Sequence, residues 1–283
     1  MTDTVIREEA LRGRVFGYPA MVDPETAEAF SSITDEYAQD QIAENREKTD
    51  NYLLPIIQRL GAHRMLDAGC GVGTMVTYLN ELGYDAHGFD LLENAHRWAS
   101  QDLPRDRFAV AEPIGLELPY PDRTFDFLFS FGAIEHVGTT NGHSDRRADY
   151  HEIRTQWVHE LYRTLRVGGS MLLAGPNRNF PVDTAHALDT RASKLEHWLS
   201  NKVGVTIHRP VGEYFLWGYP DVRRYCEGLS YRMEGLSVHG LAKYSRVPGV
   251  VRSFAEGYVK HLPKPLLATG FNPWVAALIT RTA

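Results

Sequence analysis

The sequence predicts an α/β protein: a seven-stranded, mostly parallel sheet with helices on both faces, N-terminal helices before it and a helical cap insertion within it. Three observations predict this fold. From Arg64 onward, short apolar runs alternate with amphipathic segments of helical period, the pattern of successive βαβ units. Gly69-Cys70-Gly71-Val72-Gly73 joins an apolar run to a helical one by a glycine turn. Phe125 to Phe131 is almost continuously aromatic and aliphatic, as suits a strand buried on both faces. A chain of 283 residues that is 43% hydrophobic can bury a sizeable core, and no repeat or shift in composition calls for a second domain.

The elements follow in order. Residues 1–60 read as a polar, helical segment, with Asp23-Pro24-Glu25-Thr26 as a helix start and a charged stretch from Asp35 to Asp50. Leu53, Ile56, Ile57 and Leu60 recur at helical spacing, Gly61 supplies a stop, and Pro55 demands a kink or a boundary. Residues 61–176 form the core. Met65 to Ala68 is the first strand, and Thr74 to Leu82 is a helix presenting Met75, Val76, Leu79 and Leu82 on one face. Tyr84 to Phe89, Phe108 to Ala111 and Phe125 to Phe131 are further strands. Ile153, Trp157, Leu161 and Leu165 mark a helix closed by Gly168-Gly169, before the strand Met171 to Ala174. Residues 177–220 are the cap, and 221–283 complete the sheet with a helix near Asp221 to Leu229 and strands near Tyr231 to His239 and Trp274 to Thr280. Two stretches, 138–152 and 177–220, are too long for simple connections and leave the carboxyl ends of strands, where open α/β sheets bind ligands.

Composition excludes several functions. A net charge of −6 lacks the attraction that supports binding to phosphate backbones or anionic lipid, and the pairs Arg146-Arg147 and Arg223-Arg224 read as solvated surface. Neither nucleic acid nor stable membrane association is expected. Two cysteines, Cys70 and Cys226, argue against a disulfide framework or a cysteine-rich zinc site. Met1-Thr2-Asp3 lacks the basic start and apolar run of a secretory signal, so a cytoplasmic protein is expected. The residues carry no signal for oligomeric state.

The chemistry concentrates at the glycine turn. Glycines at 69, 71 and 73 permit positive φ and close approach of a ligand to the backbone. A dinucleotide fold prefers G-x-G-x-x-G, with a pyrophosphate at the helix N-terminus. Here the order is G-x-G-x-G, and Asp67 stands two positions before it, where an acid repels a pyrophosphate but attracts an ammonium group. Asp90 ends the second strand, and a carboxylate there can accept both hydroxyl protons of an unphosphorylated ribose. The pattern is that of a nucleoside site and leaves NAD and S-adenosylmethionine both open.

Met65 to Thr74, Asp90, Leu118 to Phe127, Ile134-Glu135-His136-Val137 and Leu161 to Gly169 together resemble, in order, the motifs of class I S-adenosylmethionine-dependent methyltransferases. The resemblance covers about residues 50–178. It implies a Rossmann-like fold, S-adenosyl-L-methionine as cofactor and S-adenosyl-L-homocysteine as product. It further implies that Gly69, Cys70, Gly71 and Gly73 line the cofactor's methionine end, and that Asp67 helps to hold its ammonium group. Asp90 would bind the ribose diol, Leu91 lie against adenine and the Phe131 carbonyl face the cofactor's amino group. Family members commonly carry an Asp before the Leu-Pro of Leu118-Pro119. This chain has Ile114 near that place, so Glu112 is the candidate for the adenine contact.

Methyl transfer from a sulfonium is an in-line displacement, which asks mainly for alignment and exclusion of water. A protonated oxygen acceptor also needs a base. His136, just after the fourth strand, and His186, leaving the fifth, are the candidate catalytic residues. Asp183 with His186 is a possible ligand pair, but no metal is expected. Phe180, Leu195, Trp198, Tyr214, Phe215, Leu216, Trp217 and Tyr219 make the cap rich in large rings, as suits an aromatic or apolar small-molecule acceptor. The expected function is methyl transfer to a small molecule, most plainly to oxygen, in small-molecule biosynthesis. The alternatives are transfer to nitrogen, a nucleic-acid or protein methyltransferase, and a non-catalytic S-adenosylmethionine-binding protein. Phe131-Gly132-Ala133-Ile134 lacks the Asp/Asn-Pro-Pro-aromatic sequence of enzymes that methylate adenine or glutamine nitrogen.

Overall fold

A computed structural model describes residues 35–139, 147–183, 194–195, 198, 202, 206–207, 216–241 and 249–283. Helix α1 (Asp35–Lys48) runs into a π-helical turn (Thr49–Leu53) and then α2 (Leu54–Leu60). Pro55 offers no N–H to the preceding turn, and the widened turn before it lets the helix continue past the boundary. Gly61 then ends α2 in the left-handed conformation at φ 60°, where a glycine costs least.

The core strands are β1 (Arg64–Ala68), β2 (Asp85–Asp90), β3 (Phe108–Val110), β4 (Phe125–Phe131) and β5 (Leu165–Pro176). The connecting helices are α3 (Thr74–Glu81), α4 (Leu92–Ser100) and α5 (Tyr150–Thr164). A short ribbon pairs β6 (Val182–Asp183) with β7 (Thr206–Ile207), and α6 (Tyr219–Tyr225), β8 (Tyr231–Gly235), α7 (Gly249–His261) and β9 (Trp274–Arg281) follow. The main sheet has seven strands in the order β3-β2-β1-β4-β5-β9-β8. β1 to β5 pair in parallel, and β9 is antiparallel to both its neighbours.

Alternation along β4 explains its burial on both sides. Phe127 and Phe129 enter the core beneath α2 and α3, while Leu128 enters the one beneath α5 and α6. β1 to β3 run outward to one side and β4 and β5 to the other, so the chain reverses between β1 and β4. Asp67 there stands opposite Phe129, and ligands bind open α/β sheets outside the carboxyl ends at such a reversal.

The structure departs from the sequence reading in identifiable places. α5 ends at Thr164, and β5 already begins at Leu165. Gly168 (φ 79°) and Gly169 belong to a bulge between the Phe125–Leu165 and Phe127–Ser170 pairs rather than to a helix stop. A Cβ on Gly169 would stand 2.9 Å from the carbonyl oxygens of Arg166 and Asp126. α4 and α7 were not anticipated. The described part of 177–220 includes helical positions at 194–195, 198 and 202 together with the β6–β7 ribbon, which the sequence reading does not give. Among the described residues no helix is long and apolar enough to cross a membrane, and none group as three or more potential metal ligands.

Candidate active site

The glycine turn is built by hydrogen bonds from its own backbone. Gly69 and Cys70 N–H both donate to the Phe89 carbonyl at 3.0 and 3.1 Å, tying the end of β1 to the end of β2. Gly69, Gly71 and Gly73 have φ of 84°, 53° and 83°, conformations that suit glycine. Their surroundings differ. A Cβ on Gly69 would meet the Cβ of Ala133 at 2.5 Å, so this glycine lets the turn after β4 close over the turn after β1. A Cβ on Gly73 would meet the Phe108 ring at 2.8 Å and Leu103 at 3.0 Å, so its lack of a side chain serves the core. Gly71 has nothing within 4 Å of its Cβ position, so its backbone borders open space. The Trp98 indole N–H donates to the Gly71 carbonyl at 2.8 Å and holds the turn from α4, a support the sequence reading did not identify.

Asp90 is fixed by two main-chain donors. Gly71 N–H donates to its Oδ2 at 2.6 Å, and Leu91 N–H to its Oδ1 at 2.7 Å. An ionised carboxylate has about four acceptor sites, and these two bonds fix its orientation. Asp67 lies 4% exposed. Burial pushes its carboxyl well above the ordinary carboxylate range, and the nearby Asp90 charge pushes it the same way. A cation arriving there would relieve both effects. Burial, then Asp90 and Asp67, also raise the Cys70 thiol well above its usual value, so this cysteine is no thiolate nucleophile. Its sulfur fills the space left by Gly88, where a Cβ would come within 2.8 Å of it.

The other sequence-predicted residues lie along the same edge. Leu91 is half-buried and opens α4. Glu112 is exposed just after β3, whose Val110 pairs with Asp90. Phe131 is half-buried at the end of β4, with the Tyr52 ring edge-on to it at 6.3 Å. His136 is half-buried in the turn 134–138. Its N–H donates to the Ala133 carbonyl at 3.0 Å, and its carbonyl accepts the Thr139 hydroxyl at 2.7 Å. His186 lies outside the described residues. Leu118 to Asp122, part of the motif pattern, has a structural task. Arg163 donates to the Leu118 and Tyr120 carbonyls at 3.2 and 2.9 Å, and Glu160 accepts the Leu118 N–H at 2.7 Å.

The site therefore combines open space above Gly71, an oriented acceptor at Asp90 and a buried acid at Asp67. These residues fit a nucleoside that also carries a cationic end, which is the chemistry of S-adenosylmethionine.

Residues 66–173 match a family model described as a methyltransferase domain. The chain is 29% identical over 161 residues to the "Probable S-adenosylmethionine-dependent methyltransferase" of Mycolicibacterium smegmatis, covering 51% of this chain and 54% of that protein. It is 27% identical over 141 residues to methyltransferase GfsG of Streptomyces halstedii, covering 48% and 45%. It is 27% identical over 199 residues to glycine N-methyltransferase of Rattus norvegicus, covering 66% and 64%. The chain thus spans about half the length of the first two relatives. Among solved structures, phosphoethanolamine N-methyltransferase 2 of Haemonchus contortus, in complex with S-adenosyl-L-methionine, superposes with a TM-score of 0.45 at 17% identity, over 88% of this chain and 58% of that one. Through the matched domain and the curated relatives, residues 66–173 of this chain are similar to S-adenosylmethionine-dependent methyltransferases, which supports S-adenosylmethionine as the cofactor.

Proposed function

We propose that this chain moves a methyl group from S-adenosylmethionine to a small-molecule acceptor, an oxygen nucleophile, by in-line displacement. When bound, the cofactor supplies an electrophilic methyl on a sulfonium. The chain's residues do the rest. Asp90, aimed by the Gly71 and Leu91 amides, takes the ribose hydroxyls. Asp67 takes the ammonium group. Gly69, Cys70 and Gly71 let the methionine end lie against the backbone, Gly73 keeps the turn seated on Phe108, and Leu91 and Glu112 lie on the adenine side. The Phe131 carbonyl receives the amino group. His136, in the turn that Ala133 presses against Gly69, receives the acceptor's proton, with His186 as the second candidate. The ring-rich cap favours an aromatic or apolar acceptor body, and a tailoring role in small-molecule biosynthesis in the cytoplasm follows from that reading.

The observation that carries the proposal is the Asp90 carboxyl held by two backbone N–H groups beside the left-handed glycine turn. Calorimetric titration with S-adenosylhomocysteine, with NAD as control, tests it. Micromolar binding of the first and none of the second supports the reading, and the reverse removes it.

Transfer to nitrogen is the second reading. Two relatives favour it by name: the glycine N-methyltransferase above and phosphoethanolamine N-methyltransferase 2 of Caenorhabditis elegans, 28% identical over 130 residues and matched over 26% of its length.

A further inference from the structure

We infer that Glu135 forms an acceptor-binding site that takes an N–H or O–H donor from the molecule to be methylated; this deepens the function proposed above and rests on it. Glu135 sits in the turn after β4 and is 1% exposed. Its surroundings hold it from several directions. The buried Arg154 donates to the Glu135 carbonyl at 2.6 Å and to the Val137 carbonyl at 2.9 Å, bracing the turn on both sides of His136. The Trp217 indole N–H donates to Glu135 Oε2 at 3.3 Å. Trp217 itself lies where the cap rejoins the core, bridged to Asn177 at the cap's other end.

Gly175 makes room for the carboxyl. A Cβ on Gly175, at the end of β5, would stand 2.9 Å from the Trp217 indole nitrogen and 3.0 and 3.2 Å from the two Glu135 oxygens. A Cβ on Gly132 would lie 3.6 Å from Oε1. Oε1 is buried and has no hydrogen-bond partner among the described residues.

A glutamate placed only to anchor Trp217 would need one oxygen. Leaving the other buried without a donor costs about 1–3 kcal/mol, and such groups in native structures call for a use. The backbone and one oxygen are fixed, as in a preorganised binding group, and the remaining oxygen is placed to bond a ligand. Its place fits the reaction. The Glu135 turn follows the β4 end, where Ala133 meets Gly69 of the cofactor turn, and His136 is the next residue. A donor bonded to Oε1 would orient the acceptor beside the transferred methyl without Glu135 itself exchanging a proton.

The test uses ¹⁵N-labelled full-length protein, with and without saturating S-adenosylhomocysteine. The Trp217 indole resonance, assigned by its loss in Trp217→Phe, reports on the carboxyl it touches. Benzylamine, benzyl alcohol and benzoate share a ring and differ in hydrogen-bonding head. Benzylamine and benzyl alcohol are expected to shift the resonance and to bind about tenfold or more tighter than benzoate. In Glu135→Gln the amide oxygen would take the Trp217 N–H and turn the NH₂ toward the ligand, so the preference should reverse toward benzoate. A purely structural glutamate would not produce that reversal. Three probes binding within about threefold of one another on the wild type, or none shifting the resonance, would overturn the inference, and the affinity comparison needs no variant to fold. A folded Glu135→Gln protein that keeps the wild-type preference would overturn it too. Failure of S-adenosylhomocysteine to bind would instead strike the function proposed above, and the ligand-free arm separates the two results.

Discussion

Two acidic residues at the glycine turn do different work, and their variants should behave in opposite ways. Asp90 is oriented by two amides; under the proposed function it takes the ribose hydroxyls, and Asp90→Ala should then weaken S-adenosylhomocysteine binding about 100-fold or more, from the loss of two charge-assisted bonds to those hydroxyls of roughly 1.5–3 kcal/mol each. Loss of the bonds to the Gly71 and Leu91 amides should also lower the variant's melting temperature, by about 2–4 °C for each 1 kcal/mol lost. Unchanged affinity by calorimetry would remove Asp90 from the site. Asp67 is raised above the ordinary carboxylate range by burial and by Asp90, so the folded state holds its proton more tightly than the unfolded chain does. Its contribution is full below about pH 4 and is lost as pH rises toward the folded value. Asp67→Asn should therefore raise the melting temperature of the free protein, by a margin that widens above about pH 4, while weakening S-adenosylhomocysteine binding. A margin flat with pH would contradict the assignment. Both acids were legible in the sequence, because strand, turn and helix are local and set their positions. Glu135 was not, because its neighbours Trp217 and Gly175 are distant in the chain.

At the level of elements, the glycine turn separates backbone strain from crowding. Gly73→Ala would place a side chain at φ 83° against Phe108 and Leu103, adding about 1–2 kcal/mol of conformational cost to about 1–3 of overpacking. Gly83→Ala, at φ 87° with open space around it, should cost only the first. Urea unfolding of the two variants checks this, and equal losses would mean that the Phe108 contact is soft. Trp98→Phe keeps the ring that stacks on Phe108 at 4.9 Å but removes the N–H bonded to the Gly71 carbonyl. A loss of about 1–2 kcal/mol and severalfold weaker S-adenosylhomocysteine binding are expected, and unaltered affinity would detach α4 from the site. β4 was readable from its continuous apolar run. The β5 bulge was not, because a Gly-Gly pair reads locally as a helix stop, and only pairing with β4 shows that the strand continues through it.

Across the whole molecule, acid stability should come from carboxyls that stitch strand starts together. Asp126 accepts from the His63 and Arg64 amides at 3.0 and 2.9 Å and from the Arg166 guanidinium at 2.6 Å, joining β1, β4 and the β5 bulge. Partial burial works to raise its pKa, but the two amides and Arg166 outweigh it and hold the carboxyl below its ordinary value. Its stabilisation is therefore present above about pH 4 and lost as pH falls through the lowered folded value. Asp126→Asn should lower the melting temperature at pH 7 by about 2–4 °C, with the gap to wild type closing as pH falls below about 4. A gap that persists at the acid end would mean that the charge is not what matters.

Local order determined much of this protein. Hydrophobic period and glycine placement are properties of neighbouring residues, and they specified the alternating α/β chain, the glycine turn, the Asp90 position and the double burial of β4. Contacts made at long range were left to the tertiary structure: which glycine faces open space and which faces Phe108, the Trp98 support, the π turn that carries the chain past Pro55, and the braced Glu135 carboxyl. The physical reason is that one residue type serves several environments. A glycine relieves strain, admits a ligand or yields to a ring according to what stands opposite it, and only the folded sheet decides what that is.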